Sequence, residues 1–227
     1  LVWRRLEHAG PGAARNLGAQ ISRHAVILFL GDDIQPLDAG FFRVHAELHA
    51  GRPERDFAVL GKVVWPEGPG EEASFLMAMV QGRDGEQFQF ANLAPYDFVE
   101  WRCFYTANVS VKKSIVDDWL REGFSTRFPL AAFEDAEFAY RMRKKPGGLR
   151  ILYAPAAIAR HHHRFDAAAF MQRQQAAGMM ARVFSELHPE PEILHAIGLD
   201  GISRALRRPV RPGSEVVLAD YLSVVEG

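Results

Sequence analysis

The feature that most constrains the fold of this chain is an apolar run at residues 25–30 (AVILFL), which ends at Gly31. A short run that is apolar at every position is typical of a strand buried on both faces of a parallel sheet. An amphipathic helix that begins at Gly10 precedes the run, and a second one follows over residues 37–48. This succession predicts an α/β domain with a mixed, mainly parallel sheet flanked by helices.

The remaining patterns complete the predicted domain. Strands are predicted at residues 57–65, 101–112 and 149–153, and helices at 115–120, 134–144 and 166–187. Pro155 is expected to end the last strand, because proline lacks the N–H that a sheet ladder uses, and Asp166 is the expected N-cap of the last helix. The stretch 66–95 is predicted to be a loop with short helical pieces. We therefore expect one domain over residues 1–189 and a helical or extended appendage at 190–227.

Composition and charge exclude several functions. The net charge of −1 gives no basic excess for nucleic acid. The longest apolar run is far shorter than the roughly 20 residues of a membrane helix, and the single cysteine, Cys103, favours a reducing compartment. These features predict a cytoplasmic protein without a transmembrane segment. A basic cluster at residues 204–211 is compatible with peripheral association at the inner face of the membrane, and a solvated surface is the alternative.

Asp32 and Asp33 directly follow the apolar strand, where ligands bind in open α/β sheets. Carboxylates at this place are suited to hold a hard divalent cation such as Mg²⁺, which takes further ligands from substrate phosphates. The alternative is a turn in which both aspartates only accept hydrogen bonds from backbone amides.

Glu134 and Asp135 begin a predicted helix that ends in basic residues. A carboxylate at a helix start can act as a general base when it faces a cleft. Ordinary helix electrostatics, including a pair between Glu137 and Arg141, explains the same pattern without any function.

Three consecutive histidines, His161 to His163, follow the strand predicted at 149–153. In an extended conformation His161 and His163 point to the same side. Neutral imidazole is a common ligand of Mn²⁺-like and Zn²⁺-like ions, so both are candidate metal ligands. A polar strand edge or loop is the alternative interpretation.

The order and spacing of these segments resemble those of one enzyme family. The chain carries GPGAARNLGA, VILFLGDDIQP, FYTANVSVKK, GFSTRFPLAAFEDAEFAYRM and ILYAPAAIARHHHR in succession. From Gly10 to about Pro189 this succession resembles the family 2 glycosyltransferases. The resemblance implies the GT-A fold, a Rossmann-like α/β domain that binds a nucleotide sugar and a divalent cation.

The resemblance also implies catalytic and metal-binding residues. Asp135 matches the acid that takes a proton from the acceptor hydroxyl, and Glu134 would help to hold that site. Asp33 matches the last acid of the family's D-x-D metal motif. His161 matches a histidine that completes the metal shell, with His163 as the second candidate.

Donor binding is implied for four residues. Arg15 and Asn16 match the family's ARN element, which packs beside the nucleotide. Asp32 occupies the middle position of the metal motif, and Asn108 matches a position that faces the donor sugar.

The implied reaction is transfer of a hexose, with inversion, from a UDP-, GDP- or dTDP-linked donor to a glycan or lipid-linked acceptor, assisted by Mg²⁺ or Mn²⁺. Two departures from the family stand out. Gly31 occupies a position where the family usually has aspartate, and the leading βαβ portion has no counterpart, so we expect a domain truncated at its N-terminus. A non-catalytic relative that acts as a binding or scaffold module is the alternative. A metal-dependent hydrolase is a third interpretation, although the chain lacks a compact H-E-x-x-H motif.

Overall fold

The computed structural model describes residues 2–65, 88–115, 123–163 and 166–198. The chain divides into two compact units, Leu1–Phe184 and Ser185–Gly227. Within the described residues the helices are α1 (Gly10–Ile21), α2 (Gly40–Ala50), α3 (Glu134–Arg143), α4 (Ala167–Leu187) and α5 (Pro191–Ala196). The strands are β1 (Val26–Leu30), β2 (Ile34–Pro36), β3 (Phe57–Val64), β4 (Phe98–Val99), β5 (Asn108–Lys112) and β6 (Arg150–His161).

The described strands form one six-stranded mixed sheet in the order β1-β5-β3-β6-β2, with β4 also paired to β6. A mixed sheet with helices confirms the predicted α/β class. The prediction of a mainly parallel sheet is wrong, because among the described pairings only β3 with β6 is parallel. An apolar run predicts a strand, but the direction of its partner depends on contacts distant in sequence, which a local pattern does not contain.

Strand β1 forms where the apolar run predicted it, but it is not buried on both faces. Ile27 and Phe29 are buried, whereas Leu30 is exposed, so burial alternates along the strand. Among the described strands β1 lies at the end of the sheet order and pairs antiparallel with β5. This alternation is typical of an antiparallel strand with one face on the core.

Two strand boundaries differ from the prediction. Of residues 101–112 only β5 is a strand, and Trp101–Cys103 form a 3₁₀ turn that buries Trp101 and Cys103. The last strand continues through Pro155 to His161 instead of ending at 153. Proline is tolerated there because the pairing with β3 passes from Gly61↔Ala154 directly to Lys62↔Ile158, which leaves Pro155 outside the ladder.

The predicted helices are confirmed at α1, α2, α3 and α4. Asp166 caps α4 as predicted, since its Oδ1 accepts a hydrogen bond of 2.7 Å from the Ala169 N–H. The predicted helix at 115–120 beyond Ile115, the basic cluster at 204–211 and most of the loop at 66–95 (66–87) lie outside the described residues.

Helix α2 packs on the face of the central strands and buries two histidines. Val44 and Leu48 contact a buried apolar cluster of β3 and β6, while His45 and His49 both contact the hydroxyl of Ser110, at 2.8 and 2.9 Å. Burial lowers the pKa of each histidine to about 4, and the nearby Lys112 charge contributes to the shift at His49. Both imidazoles are therefore neutral at pH 7.

Gly61 lies where β3 meets β6 and Asn108. An alanine Cβ at this position would lie 2.6 Å from the Ala157 carbonyl oxygen and would overlap the side-chain amide of Asn108. We expect Gly61→Ala to lower the free energy of unfolding by about 1–3 kcal/mol, as overpacked cores do. Urea unfolding measures this loss. The matched control is Gly18→Ala, which has open space around it on α1 and should stabilise the chain by about 0.5–1 kcal/mol; equal effects of the two variants would contradict the prediction.

The buried histidines predict acid sensitivity. Their folded-state pKa of about 4 lies below the ordinary value of 6.5, so the unfolded chain binds protons first. The free energy of unfolding therefore has its full value above about pH 6.5 and falls as the pH drops from 6.5 towards 4. At pH 5 the loss is about 2 kcal/mol per histidine. Urea unfolding between pH 7.5 and 4.5 should show this slope. His49→Gln should reduce it, and the change at the exposed His24 (His24→Gln) is the matched control; an unchanged slope in His49→Gln would refute the assignment.

Candidate active site

Backbone pairing between β2 and the end of β6 brings Asp33 beside two of the three consecutive histidines. Ile34 pairs with His161, and the His162 N–H donates to the Asp33 carbonyl at 2.8 Å. The carboxylate Oδ2 of Asp33 lies 2.9 Å from His161 Nε2 and 3.6 Å from His163 Nδ1. One potential ligand atom from each of these three residues lies within 4.8 Å of the others. We call Asp33, His161 and His163 the Asp–His group.

The Asp–His group suits a divalent cation. Burial lowers the pKa of His161, and the Asp33 charge opposes that shift. A lowered pKa favours the neutral imidazole, which is the form that binds metals. One carboxylate with two imidazoles is a ligand set that several divalent transition-metal ions accept. Asp32 is exposed and lies outside the group.

Aromatic rings fix the orientation of His161. The centroid of the Trp65 ring lies 4.3 Å from that of His161, and the Phe88 ring approaches it at 5.8 Å. The ring of His163 is stacked on His161 at 5.6 Å with an interplanar angle of 21°. A buried ring with three ring neighbours has few alternative rotamers, which favours the observed direction of Nε2 towards Asp33.

Gly31 lies in the turn that carries Asp33, with little space for a side chain. A Cβ at position 31 would lie 2.8 Å from Cγ1 of Ile34 and 3.0 Å from Oδ1 of Asp33. A side chain at position 31 would therefore require the Ile34 side chain and the Asp33 carboxylate to adjust.

Glu134 is held by a buried ion pair at the start of α3. Its Oε1 accepts a hydrogen bond of 2.6 Å from Arg15, and its side chain is 4% exposed. Burial raises the pKa of Glu134, Asp135 adds to the shift, and Arg15 opposes it. The preceding residue, Phe133, has φ of 64°, a left-handed conformation that is rare for a bulky side chain and costs about 1–3 kcal/mol.

Asp135 is oriented by three hydrogen bonds. Oδ2 accepts from the backbone N–H and the hydroxyl of Thr106, at 3.2 and 3.3 Å, and Oδ1 accepts from the Ala136 N–H at 2.8 Å. A carboxylate fixed in this way has the fixed geometry that a general base requires.

Arg173 of α4 interacts electrostatically with the acid pair and with the Asp–His group. Burial lowers the pKa of Arg173, and the charges of Asp135, Glu134 and Asp33 all oppose that shift. Arg173 also lowers the pKa of His161. A positive charge at Arg173 therefore acts on the three acids and on His161.

Two predicted donor-binding residues use their side chains for hydrogen bonds within the protein. Asn16 makes a pair of hydrogen bonds with the backbone of Phe124, at 2.8 and 2.9 Å. Asn108 is fully buried and bonds His45 and the carbonyls of Lys62 and Ala157. Neither is brought to the Asp–His group by a described contact.

Sequence reasoning missed Thr106, Arg173 and Trp65. Thr106 stands inside the quoted FYTANVSVKK segment, two positions before Asn108, and this proximity was the available signal. Arg173 and Trp65 belong to no sequence motif. Their places follow from the packing of α4 and of the end of β3, which a motif does not describe.

Comparison with known proteins assigns no family: the sequence matches no family model and no characterised protein significantly. Among the described helices, none is long and apolar enough to cross a bilayer.

The two adjacent aspartates allow a matched test of the metal site. Asp33→Asn should weaken Mn²⁺ binding by more than about tenfold. The substitution removes a direct ligand, and the loss of a residue that only hydrogen-bonds a ligand already weakens binding by about 10–100-fold. Asp32→Asn makes the same chemical change one residue away and should keep the wild-type affinity. Calorimetric titration of Mn²⁺ into each variant measures the difference, and equal affinities would remove Asp33 from the metal site.

Proposed function

We propose that this chain is the catalytic domain of an inverting glycosyltransferase with the GT-A fold, which transfers a hexose from a nucleoside-diphosphate donor to an acceptor hydroxyl. The observations that carry the proposal are the meeting of Asp33 with His161 and His163 and the hydrogen-bonded orientation of the Asp135 carboxylate. A metal-binding group and a positioned base are two requirements of this reaction, and these residues would supply them. The succession of family-like segments supports the same conclusion.

The acceptor hydroxyl loses its proton to Asp135. Its oxygen attacks the anomeric carbon of the donor while the bond from that carbon to the diphosphate oxygen breaks. An alcohol is a weak nucleophile, so a positioned base accelerates the step by about 10²–10⁴-fold. The hydrogen bonds from Thr106 hold the carboxylate in place for this transfer.

The diphosphate leaves with negative charge that must be stabilised. Asp33, His161 and His163 would hold Mg²⁺ or Mn²⁺, which neutralises that charge when bound. Glu134 fixes the start of α3 through Arg15, so its role is to support Asp135.

The proposal also covers the classes of donor and acceptor and the place of the reaction in the cell. The donor is UDP-, GDP- or dTDP-linked, and the acceptor is a glycan or a lipid-linked sugar. The protein acts in the cytoplasm, with the inner face of the membrane as the site of a lipid-linked acceptor.

Asp135→Asn separates catalysis from binding. The variant keeps the shape of the side chain but cannot accept the proton, so sugar transfer should fall by about 10²–10⁴-fold while metal-dependent binding of the nucleoside diphosphate is retained. Calorimetry with UDP and GDP identifies the nucleotide, and release of that nucleotide from its sugar donors measures transfer.

The exposed Asp97 supplies the control, since Asp97→Asn removes the same charge outside the site and should leave transfer unchanged. Turnover of Asp135→Asn near the wild-type rate would remove Asp135 as the base. A wild-type chain that binds the nucleotide with Mn²⁺ but transfers no sugar would favour the non-catalytic binding module, for which Gly31 in the metal motif is the supporting observation.

A further inference from the structure

A chain of buried polar side chains runs from α2 through β5 to the junction of β3 and β6. His49 Nε2 lies 2.9 Å from the Ser110 hydroxyl, which lies 2.8 Å from His45 Nδ1. His45 Nε2 lies 3.0 Å from Oδ1 of Asn108. The amide nitrogen of Asn108 lies 3.1 Å from the Lys62 carbonyl and 2.9 Å from the Ala157 carbonyl. All four side chains are buried.

The two carbonyls determine the direction of every hydrogen bond in this chain. A carbonyl oxygen only accepts, so both N–H bonds of Asn108 point at Lys62 and Ala157 and its Oδ1 faces His45. His45 must therefore carry its proton on Nε2, which leaves Nδ1 to accept from Ser110. The Ser110 oxygen then accepts from His49 Nε2.

Asn108 thus acts at the point where the pairing of β3 and β6 is irregular. The ladder omits residues 155–157 of β6 and resumes at Lys62↔Ile158. The Asn108 amide bonds one carbonyl from each strand at this resumption, in the space that the missing Cβ of Gly61 leaves open. Three residues after Ile158 comes His161, which pairs with Ile34 beside Asp33.

We propose that Asn108, oriented by His45 and Ser110, is a positioning residue that sets the place of His161 in the Asp–His group, rather than a residue that contacts the donor sugar. The inference rests on the proposed metal site for its consequence in function. Its structural part is independent of that site, because it concerns only where the end of β6 lies.

The test is nuclear magnetic resonance of the histidine rings at pH 7 in the wild type and in Asn108→Asp, followed by titration of both samples with Mn²⁺. Asn108→Asp keeps the side-chain shape but replaces the two donors with an oxygen that faces carbonyls. The Trp65 ring, 4.3 Å from His161, gives the His161 signals a ring-current shift that reports their distance. A His161→Gln variant assigns those signals.

We expect Asn108→Asp to change the His161 ring shifts and to weaken Mn²⁺ binding by up to about tenfold, the low end of the effect of residues that hydrogen-bond a metal ligand, because Asn108 acts on His161 only through the backbone of β6. Gln20→Glu makes the same amide-to-acid change at an exposed position of α1 and should change neither. Wild-type His161 shifts in a folded Asn108→Asp variant would overturn the inference.

Ser110→Ala decides the question if Asn108→Asp does not fold. It removes one hydroxyl that orients His45, and it should move the His161 signals in the same direction by a smaller amount; unchanged signals would overturn the inference. If Mn²⁺ does not broaden the His161 and His163 signals of the wild type, the proposed metal site fails, and the shifts without metal still decide the role of Asn108.

Discussion

The parallel pairing of β3 with β6 is the interaction on which the other described parts of this domain depend. Its residues include the most buried of the sheet, and α2 packs across them. β5 adds to one side of the pair, and β2 and β4 add to the other. The last residues of β6 pair with β3 on one side and with β2 on the other, and they meet the turn after β1 there. The proposed metal site is located at this end of the long strand.

Much of the local structure could be predicted from the sequence, but the pairing of the strands in the sheet could not. Glycine and proline boundaries together with helical spacing located α1, α2, α3 and α4, because these signals act within a few residues of each other. The apolar run at 25–30 located β1, but the prediction that β1 is buried on both faces of a parallel sheet was wrong. The run does not contain the direction of the neighbouring strand or the place of β1 at the end of the sheet order. Pro155 gave the wrong end for β6, because a proline costs little where the ladder is interrupted. That interruption, beside Gly61 and Asn108, involves contacts distant in sequence.

The candidate site was also predictable from the sequence only in part. Asp33, His161 and His163 were expected together and lie together, because each is adjacent to a strand whose position was nearly right. Asn16 and Asn108 were assigned to the donor by resemblance, and the described contacts direct their amides to backbone groups instead. A motif specifies which residue types are present, whereas the direction of a side chain follows from the partners that surround it. Arg173 shows the converse, since no sequence pattern indicated it and its charge nevertheless acts on three acids.

The left-handed conformation of Phe133 has a consequence for how the site is assembled. A short peptide containing residues 130–143 would avoid this conformation, since its local preferences oppose it. The entry of the chain into α3, and with it the direction of the Asp135 carboxylate, must be imposed from outside by Arg15 and Thr106. Under the proposed function, a partly folded chain would contain the helix without Asp135 in its working position. The proposed sugar transfer would then begin only after α1 and the sheet have docked.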